Sequence, residues 1–457
     1  MKFRNKNILV IGMARSGIAA AHVLKELGAN VTVNDIKPYE EVKKEADCLR
    51  KAGIVTVTGG HPLKVLENKD FIVVSPGVPM DIPLLEEAKK RSISIYSEIE
   101  IGYRLTQGKI IAVTGTNGKT TTTTLAEEIL KNSGIEAVAA GNIGIPLIQV
   151  AKKVSSDGYL VVEVSSFQLQ GIEKFKPRIS IILNITKDHL DRHKTFENYA
   201  AAKARIFENQ DYDDYTILNE DDALVRSFAS KTRGKTVFFS RKKQLDYGVF
   251  VKNNVIVVKD FNSIYPVCRV EEIGIKGNHN LENVLACVAI GWLCGVNFNT
   301  MAETLKDFRG VEHRLEYVDT IGRVKFINDS KGTNPEAAMK AIEAVDEPIV
   351  LIAGGKDKGS DFDEFVKAFE NKVRAMIVLG ETAEKLVQTA KALGFRHVVK
   401  VKSIEEAVEK GFQLAKPGWC VLLSPACASW DMFKSFEERG NVFKESVKSL
   451  RRKNNVS

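Results

Sequence analysis

The sequence predicts an α/β protein of three successive domains, each built on a mostly parallel sheet. Three observations lead there. The 457 residues are enough, at roughly 100–200 residues per domain, for two to four separate cores. Short Val- and Ile-rich apolar runs recur along the whole chain, the pattern of strands buried on both faces. Stretches of helical period separate most of these runs, which implies βαβ units.

The first block covers residues 1–97. Its strand 8–11 leads into a helix over 16–27, which Gly28 is placed to stop. Strands at 31–33 and 71–74 follow. The second block, 98–310, opens on a strand at 109–113 and a helix at about 121–131, and holds strands at 159–162 and 179–183. Its stretch 234–275 is different, with short alternating segments and turn signals such as Asn253-Asn254. It reads as a small antiparallel insert. The third block, 311–457, carries strands at 324–327, 349–353, 375–379 and 420–423.

Composition excludes several function classes. A net charge of +8 with one dense basic run, Arg451-Arg452-Lys453, gives no footprint for nucleic acid. The charge suits anionic small molecules, or simply a lysine-rich solvated surface. The six cysteines form no CxxC pair and no metal-ligand spacing, so they read as reduced thiols of a cytoplasmic protein. No apolar run approaches the ~18 residues of a membrane span, so no membrane insertion is expected.

Two glycine turns and a phosphate loop carry the chemistry. Gly12-Met13-Ala14-Arg15-Ser16-Gly17 follows the first strand and approaches GxGxxG, with Ala14 at the second glycine. Asp35 ends the next strand, where a ribose-binding acid would sit. A tight strand–helix turn, an NAD(P) site and a site for another nucleotide diphosphate all fit, although Ala14 crowds the approach of a dinucleotide. Ser75-Pro76-Gly77 follows another strand at the same sheet edge. The strongest motif is Thr114-Gly115-Thr116-Asn117-Gly118-Lys119-Thr120-Thr121, between a strand and a helix. It is a shortened P-loop, with Val113 where the longer motif has its first glycine. Lys119 would meet the β- and γ-phosphates of ATP, Thr120 would place a hydroxyl on Mg²⁺, and Gly115 and Gly118 would let amides approach phosphate. Glu163 ends a strand and is either a Mg²⁺ ligand or a helix-capping acid. In Asn184-Ile185-Thr186-Lys187-Asp188-His189-Leu190-Asp191-Arg192-His193, His189 lies nearer the strand end and is the better ligand candidate. Pattern alone makes Lys203 a helix-surface lysine.

Together these segments resemble the Mur ligase superfamily over essentially the whole chain, with Asn278-His279-Asn280 and His313-Arg314 adding to the signature. Asn328-Asp329-Ser330-Lys331-Gly332-Thr333-Asn334-Pro335 and Ser424-Pro425-Ala426-Cys427-Ala428-Ser429-Trp430-Asp431 resemble its D-glutamate-adding members. The resemblance implies a Rossmann-like N-terminal domain that grips a UDP-sugar, a central P-loop ATPase-like domain, and a C-terminal Rossmann-like domain for the amino acid. It implies an ATP-dependent ligase that adds D-glutamate to UDP-N-acetylmuramoyl-L-alanine through an acyl phosphate, in peptidoglycan precursor synthesis. The implied cofactors are two Mg²⁺ ions and a CO₂-derived carbamate on Lys203. Thr120, Glu163, His189 and carbamylated Lys203 would serve the metals. Gly115, Thr116, Asn117, Gly118, Lys119, Thr120, Thr121, Asn280, Arg314 and Asp329 would contact ATP. Thr333, Lys358, Ser429 and Phe436 would line the D-glutamate pocket, and Ser16, Asp35, Lys37, Gly77 and Asn142 would hold the uridine nucleotide. A monomer is expected. The competing readings are a sister ligase or a folate polyglutamate synthase, an NAD-binding oxidoreductase, and a non-catalytic nucleotide-binding module. The oxidoreductase leaves residues 115–121 and Glu163 unexplained, and the intact set of Lys119, Glu163, His189 and Lys203 argues against the module.

Overall fold

Three sheets organise the chain in a computed structural model that describes residues 3–453 apart from positions 143 and 358. The first sheet contains β1 (Asn7–Ile11), β2 (Asn30–Asn34), β3 (Val55–Val57), β4 (Phe71–Val74) and β5 (Ser94–Ser97). Its order is β3-β2-β1-β4-β5 and every pairing is parallel. Ile8, Val10, Val31 and Val33 pack with Ala20 and Leu24 of the helix Arg15–Glu26. That helix can start against the sheet because residue 17 is glycine. A Cβ there would lie 1.9 Å from the Gly12 carbonyl oxygen. Gly28, at φ +83°, turns the chain out of the helix as expected.

The second sheet runs from β6 (Lys109–Thr114), β7 (Ala137–Gly141), β8 (Tyr159–Glu163) and β9 (Ile179–Ile182) to β10 (Tyr215–Asn219) and β11 (Lys235–Ser240). It then continues through β12 (Gly248–Lys252), β13 (Val255–Lys259) and β14 (Ile264–Arg269). The order is β14-β13-β12-β11-β10-β9-β6-β8-β7. The stretch 234–275 is therefore not a separate antiparallel insert. β11 joins β10, and β12 joins β11, in parallel; only β13 and β14 turn back antiparallel. Val237 and Phe239 are fully buried, so the alternation seen in the sequence marks strands that extend the main sheet toward its edge. Asn253 and Asn254, at φ 49° and 62°, make the two-residue turn between β12 and β13.

The third sheet contains β15 (Glu316–Ile321), β16 (Val324–Asn328), β17 (Ile349–Ala353), β18 (Val373–Val378), β19 (Val398–Lys400) and β20 (Cys420–Leu423), in the order β15-β16-β20-β17-β18-β19. β18 starts two residues before the expected position. The first two sheets belong to one compact unit that ends at Phe308, and the third to a second unit that begins at Arg309. Among the described residues, no helix is long and apolar enough to cross a membrane. All six cysteines are free.

Candidate active site

The order of the second sheet sets the site. β6 lies between β8 and β9, so the loop after β6 faces the loop after β9 at the carboxyl edge, where open α/β sheets bind ligands. Asn184 stitches the two loops together. Its Oδ1 accepts from the Asn117 amide at 2.9 Å, its Nδ2 donates to the Asn117 carbonyl at 3.2 Å, and its own carbonyl accepts from the Thr116 amide at 2.9 Å. Gly118 adopts a left-handed conformation at φ +84°, and a Cβ there would meet Asn283 Oδ1 at 2.1 Å. The loop then enters the helix Lys119–Asn132, and a helix N-terminus after a glycine loop suits an anion.

Lys119 Nζ donates to the carbonyls of Gly115 at 3.0 Å and Thr116 at 2.9 Å. Thr120 Oγ1 donates to Glu163 Oε2 at 2.8 Å, and Asn142 Nδ2 donates to Glu163 Oε1, also at 2.8 Å. Glu163 is 2% exposed. A buried carboxylate beside a hydroxyl and a phosphate loop is a hard-oxygen donor set that fits Mg²⁺. Thr121, the residue after Thr120 in the helix, is buried. Among the described residues, no three His, Cys, Asp or Glu side chains gather into a cation site, which suits Mg²⁺ held by one or two side chains with phosphate and water completing its shell.

Lys203 does not sit on the surface as its helical pattern suggests. It is 2% exposed, and Nζ donates to the Gly115 carbonyl at 2.8 Å and reaches Thr114 Oγ1 at 3.5 Å. Burial, reinforced by the Lys119 charge, holds its ammonium well below the usual lysine range, against opposing pulls from Asp188 and Glu163. Its Nζ lies 4.7 Å from the Tyr199 ring centroid. The Tyr199 hydroxyl pairs with Thr116 Oγ1 at 3.2 Å, so one tyrosine ties the lysine helix to the phosphate loop. His189 packs its ring 5.0 Å from Phe167 and 6.2 Å from Tyr199, and adopts φ 52° at the start of a short helix. His193 is the buried structural histidine, with Nε2 2.9 Å from Ser166 Oγ.

The first sheet supplies a second cluster. Asp35 uses both carboxylate oxygens on backbone amides, Met13 at 2.6 Å and Lys37 at 2.9 Å, and so fixes the glycine turn that carries Ser16. Arg15 Nη2 donates to the Asn142 carbonyl at 3.2 Å, which links this turn to the Glu163 chain. Gly77 is exposed, and its carbonyl accepts from Arg192 Nη1 at 3.2 Å. A small crevice lies along this edge, lined by Ser75, Met80, Phe167 and Gln168 among others. Asn280, in the same unit, donates to the Lys276 carbonyl at 2.8 Å.

In the second unit, Asp329 follows β16. Ser424 Oγ donates to its Oδ2 at 2.6 Å, and the Leu315 amide lies 3.3 Å from Oδ1. Burial pushes its carboxyl up to about 7, with the Arg314 charge opposing. Ser429 is buried in the loop after β20, and its carbonyl accepts from the Phe433 amide at 2.8 Å. Phe436 begins the helix Phe436–Lys453, its carbonyl accepting from Ser330 Oγ at 2.8 Å. Thr333 is half-buried near Asp329 in the same loop. Lys358 lies outside the described residues. Sequence reasoning gave no role to Tyr199 and quoted Asn184 only as part of a run; the sole signal for either was its place in a motif.

Comparison with known proteins follows this geometry. Residues 6–97 match the Mur ligase MurD-like N-terminal domain, 113–291 the Mur ligase middle domain, and 313–427 the Mur ligase glutamate ligase domain. The chain is 50% identical over 454 residues to UDP-N-acetylmuramoylalanine–D-glutamate ligase of Alkaliphilus oremlandii, covering 99% of this chain and 100% of the relative. It is 43% identical over 452 residues to the ligase of the same name from Clostridioides difficile, with 99% and 100% covered. UDP-N-acetylmuramate–alanine ligase of Thermotoga maritima shares the fold, with a TM-score of 0.57, 20% identity and coverage of 97% and 99%. MurF ligase of Thermotoga maritima in complex with ADP does so as well, with a TM-score of 0.56, 16% identity and coverage of 98% and 99%. With three domain models matched in order and identity of this level over almost the whole length, the chain belongs to the Mur ligase family.

Proposed function

We propose that this protein is an ATP-dependent ligase that joins D-glutamate to the L-alanine carboxylate of UDP-N-acetylmuramoyl-L-alanine, a step of peptidoglycan precursor synthesis in the cytoplasm. The observation that carries the reading is identity of 43–50% over the whole chain to ligases of that name. The P-loop, Glu163 and buried Lys203 gathered at one sheet edge supply chemistry that suits it.

The substrate carboxylate attacks the γ-phosphorus of ATP, ADP departs, and an acyl phosphate forms. Phosphorylation is needed because a carboxylate oxygen is a poor leaving group. The amine of D-glutamate then adds to the acyl carbon, loses a proton, and the tetrahedral adduct expels phosphate to leave the amide. The protein's share is positioning and charge stabilisation. Residues 115–121 cradle the phosphates, and Lys119 exchanges its carbonyl partners for phosphate oxygens. Bound Mg²⁺ supplies Lewis-acid neutralisation of phosphoryl charge, and Thr120, Glu163, His189 and a carbamate on Lys203 would hold it. Asn280, Arg314 and Asp329 are assigned to ATP, Thr333, Lys358, Ser429 and Phe436 to D-glutamate, and Ser16, Asp35, Lys37, Gly77 and Asn142 to the uridine nucleotide.

The carbamate has a physical rationale. Burial favours the neutral amine at Lys203, and only the neutral amine adds to CO₂. The reaction forms an N–C bond, releases one proton and turns a neutral amine into an anionic group that offers oxygen ligands. In ¹³CO₂-equilibrated buffer, a carbamate carbon resonance should appear in the wild type and vanish in Lys203→Ala. Its absence from the wild type would remove the carbamate from the reading.

The function is tested by ADP release with UDP-N-acetylmuramoyl-L-alanine, ATP and Mg²⁺, comparing D-glutamate with L-glutamate, L-alanine and diaminopimelate. Release with D-glutamate alone is expected. Release with a different amino acid would overturn the choice of substrate.

A further inference from the structure

The carboxyl edge of the first sheet holds a feature that the reaction above does not use. β3 ends at Val57, and the loop that follows, Thr58-Gly59-Gly60-His61, is stitched to the end of β2. The Asp35 amide donates to the Val57 carbonyl at 3.0 Å, and the Gly59 amide to the Lys37 carbonyl at 2.8 Å. Asn34, fully buried, donates through Nδ2 to the carbonyls of Val57 at 3.0 Å and Gly60 at 2.8 Å. Those two carbonyls fix the orientation of the amide, because a flipped side chain would set oxygen against oxygen.

Asn34 Oδ1 is then necessarily an acceptor, and it lies 2.5 Å from His61 Nδ1. Nδ1 must carry the proton. In a neutral imidazole this leaves Nε2 as a lone-pair acceptor. Burial holds the ring's pKa below the usual histidine range, with Asp35 opposing, so the neutral form prevails at pH 7. Two residues after Asn34, Ile36 is 64% exposed, an apolar side chain between Asp35 and Lys37. A Cβ on Gly59 or Gly60 would meet nothing within 4 Å, so the space over the loop is open.

In a doubly wound sheet the diphosphate sits at the turn after the first strand and the ribose at the acid ending the second, which puts the base toward the next strand outward. Here that strand is β3. We propose that His61 reads the base of the bound nucleotide, with Nε2 accepting the ring N3–H of a pyrimidine dione whose face packs on Ile36. The inference rests on the first sheet's being the UDP-sugar domain. A base that lacks a ring N–H at that position, such as cytosine or adenine, offers Nε2 only another acceptor and leaves both lone pairs unmatched. His61 would thus help select uridine over cytidine nucleotides.

The test is calorimetric. UDP-N-acetylmuramoyl-L-alanine and its 3-methyluridine counterpart, which has no N3–H, are titrated into the full-length wild type, His61→Ala and His61→Phe. The phenylalanine variant keeps the ring volume in case alanine loosens the loop. Wild type should bind the methylated ligand about tenfold more weakly, as expected for one well-placed hydrogen bond. Either variant that keeps the wild-type melting temperature should bind the parent ligand about tenfold more weakly and discriminate less than twofold. Undiminished discrimination in the variants would overturn the role of His61 alone. Failure of the wild type to bind the parent ligand would overturn the UDP-sugar reading itself, and this inference with it.

Discussion

Replacing Glu98 by glutamine should favour stability far more at pH 8 than at pH 5. Glu98 opens the helix Glu98–Leu105 and is fully buried. Its Oε1 accepts from the Ile148 amide at 2.6 Å, and its Oε2 has no hydrogen-bond partner. Burial pushes the carboxyl up from 4.5 to about 7, against the Ile148 amide and the Arg15 charge. Between those two values the folded protein holds a proton that the unfolded chain has released. Stability therefore falls as pH rises through this window, and is level above it. At about 1.4 kcal/mol per pH unit, the loss is roughly 3 kcal/mol. Glutamine is neutral throughout. It keeps an oxygen for Ile148 and carries one donor more than the protonated acid, a cost that does not vary with pH, so the variant should lack the wild type's fall in stability between pH 5 and pH 8. Urea unfolding of both proteins at pH 5, 6, 7 and 8 measures the difference, which should grow in the variant's favour by about 2.5 kcal/mol from pH 5 to pH 8. A constant offset at all four pH values would refute the reasoning, because it would mean that Glu98 is ionised, or protonated, in both states throughout.

Four other changes test the site. Lys203→Met should reduce ADP release by at least about 10²-fold with little change in melting temperature, because the Gly115 carbonyl still accepts from Lys119 Nζ at 3.0 Å; activity within threefold of wild type would remove Lys203 from the reaction. Glu163→Gln keeps an oxygen for Thr120 but removes the charge, so activity should fall about 10²-fold and the Mg²⁺ titration should shift to higher concentration. Gly118→Ala drives a Cβ to 2.1 Å from Asn283 Oδ1 at a left-handed φ, and ATP affinity read by fluorescent-nucleotide titration should drop more than about tenfold. Tyr199→Phe loses the 3.2 Å pairing with Thr116 and should cost about 1 kcal/mol in urea unfolding, with a larger loss in activity than in stability if the tyrosine positions the loop.

Local pattern determined a good deal of this protein. The Val- and Ile-rich runs became parallel strands because residues buried on both faces of a sheet leave no polar alternation, and β4, β17 and β20 fall where those runs lie. The P-loop was legible because its glycines, lysine and threonine act within a few consecutive residues. Sequence failed where a residue's environment comes from distant chain. The alternation in 234–275 showed one solvated face but could not say which strand lay beside β11. Lys203 has the spacing of a surface residue, and it is buried only because β6 and its loop, almost ninety residues earlier, close over it. Asn184 locks Asn117 across 67 positions, and Asn34 sets the tautomer of His61 across 27. Periodicity records which way a side chain faces along its own element; the partner it meets, and hence its charge state and chemistry, is decided by the packing of one element against another.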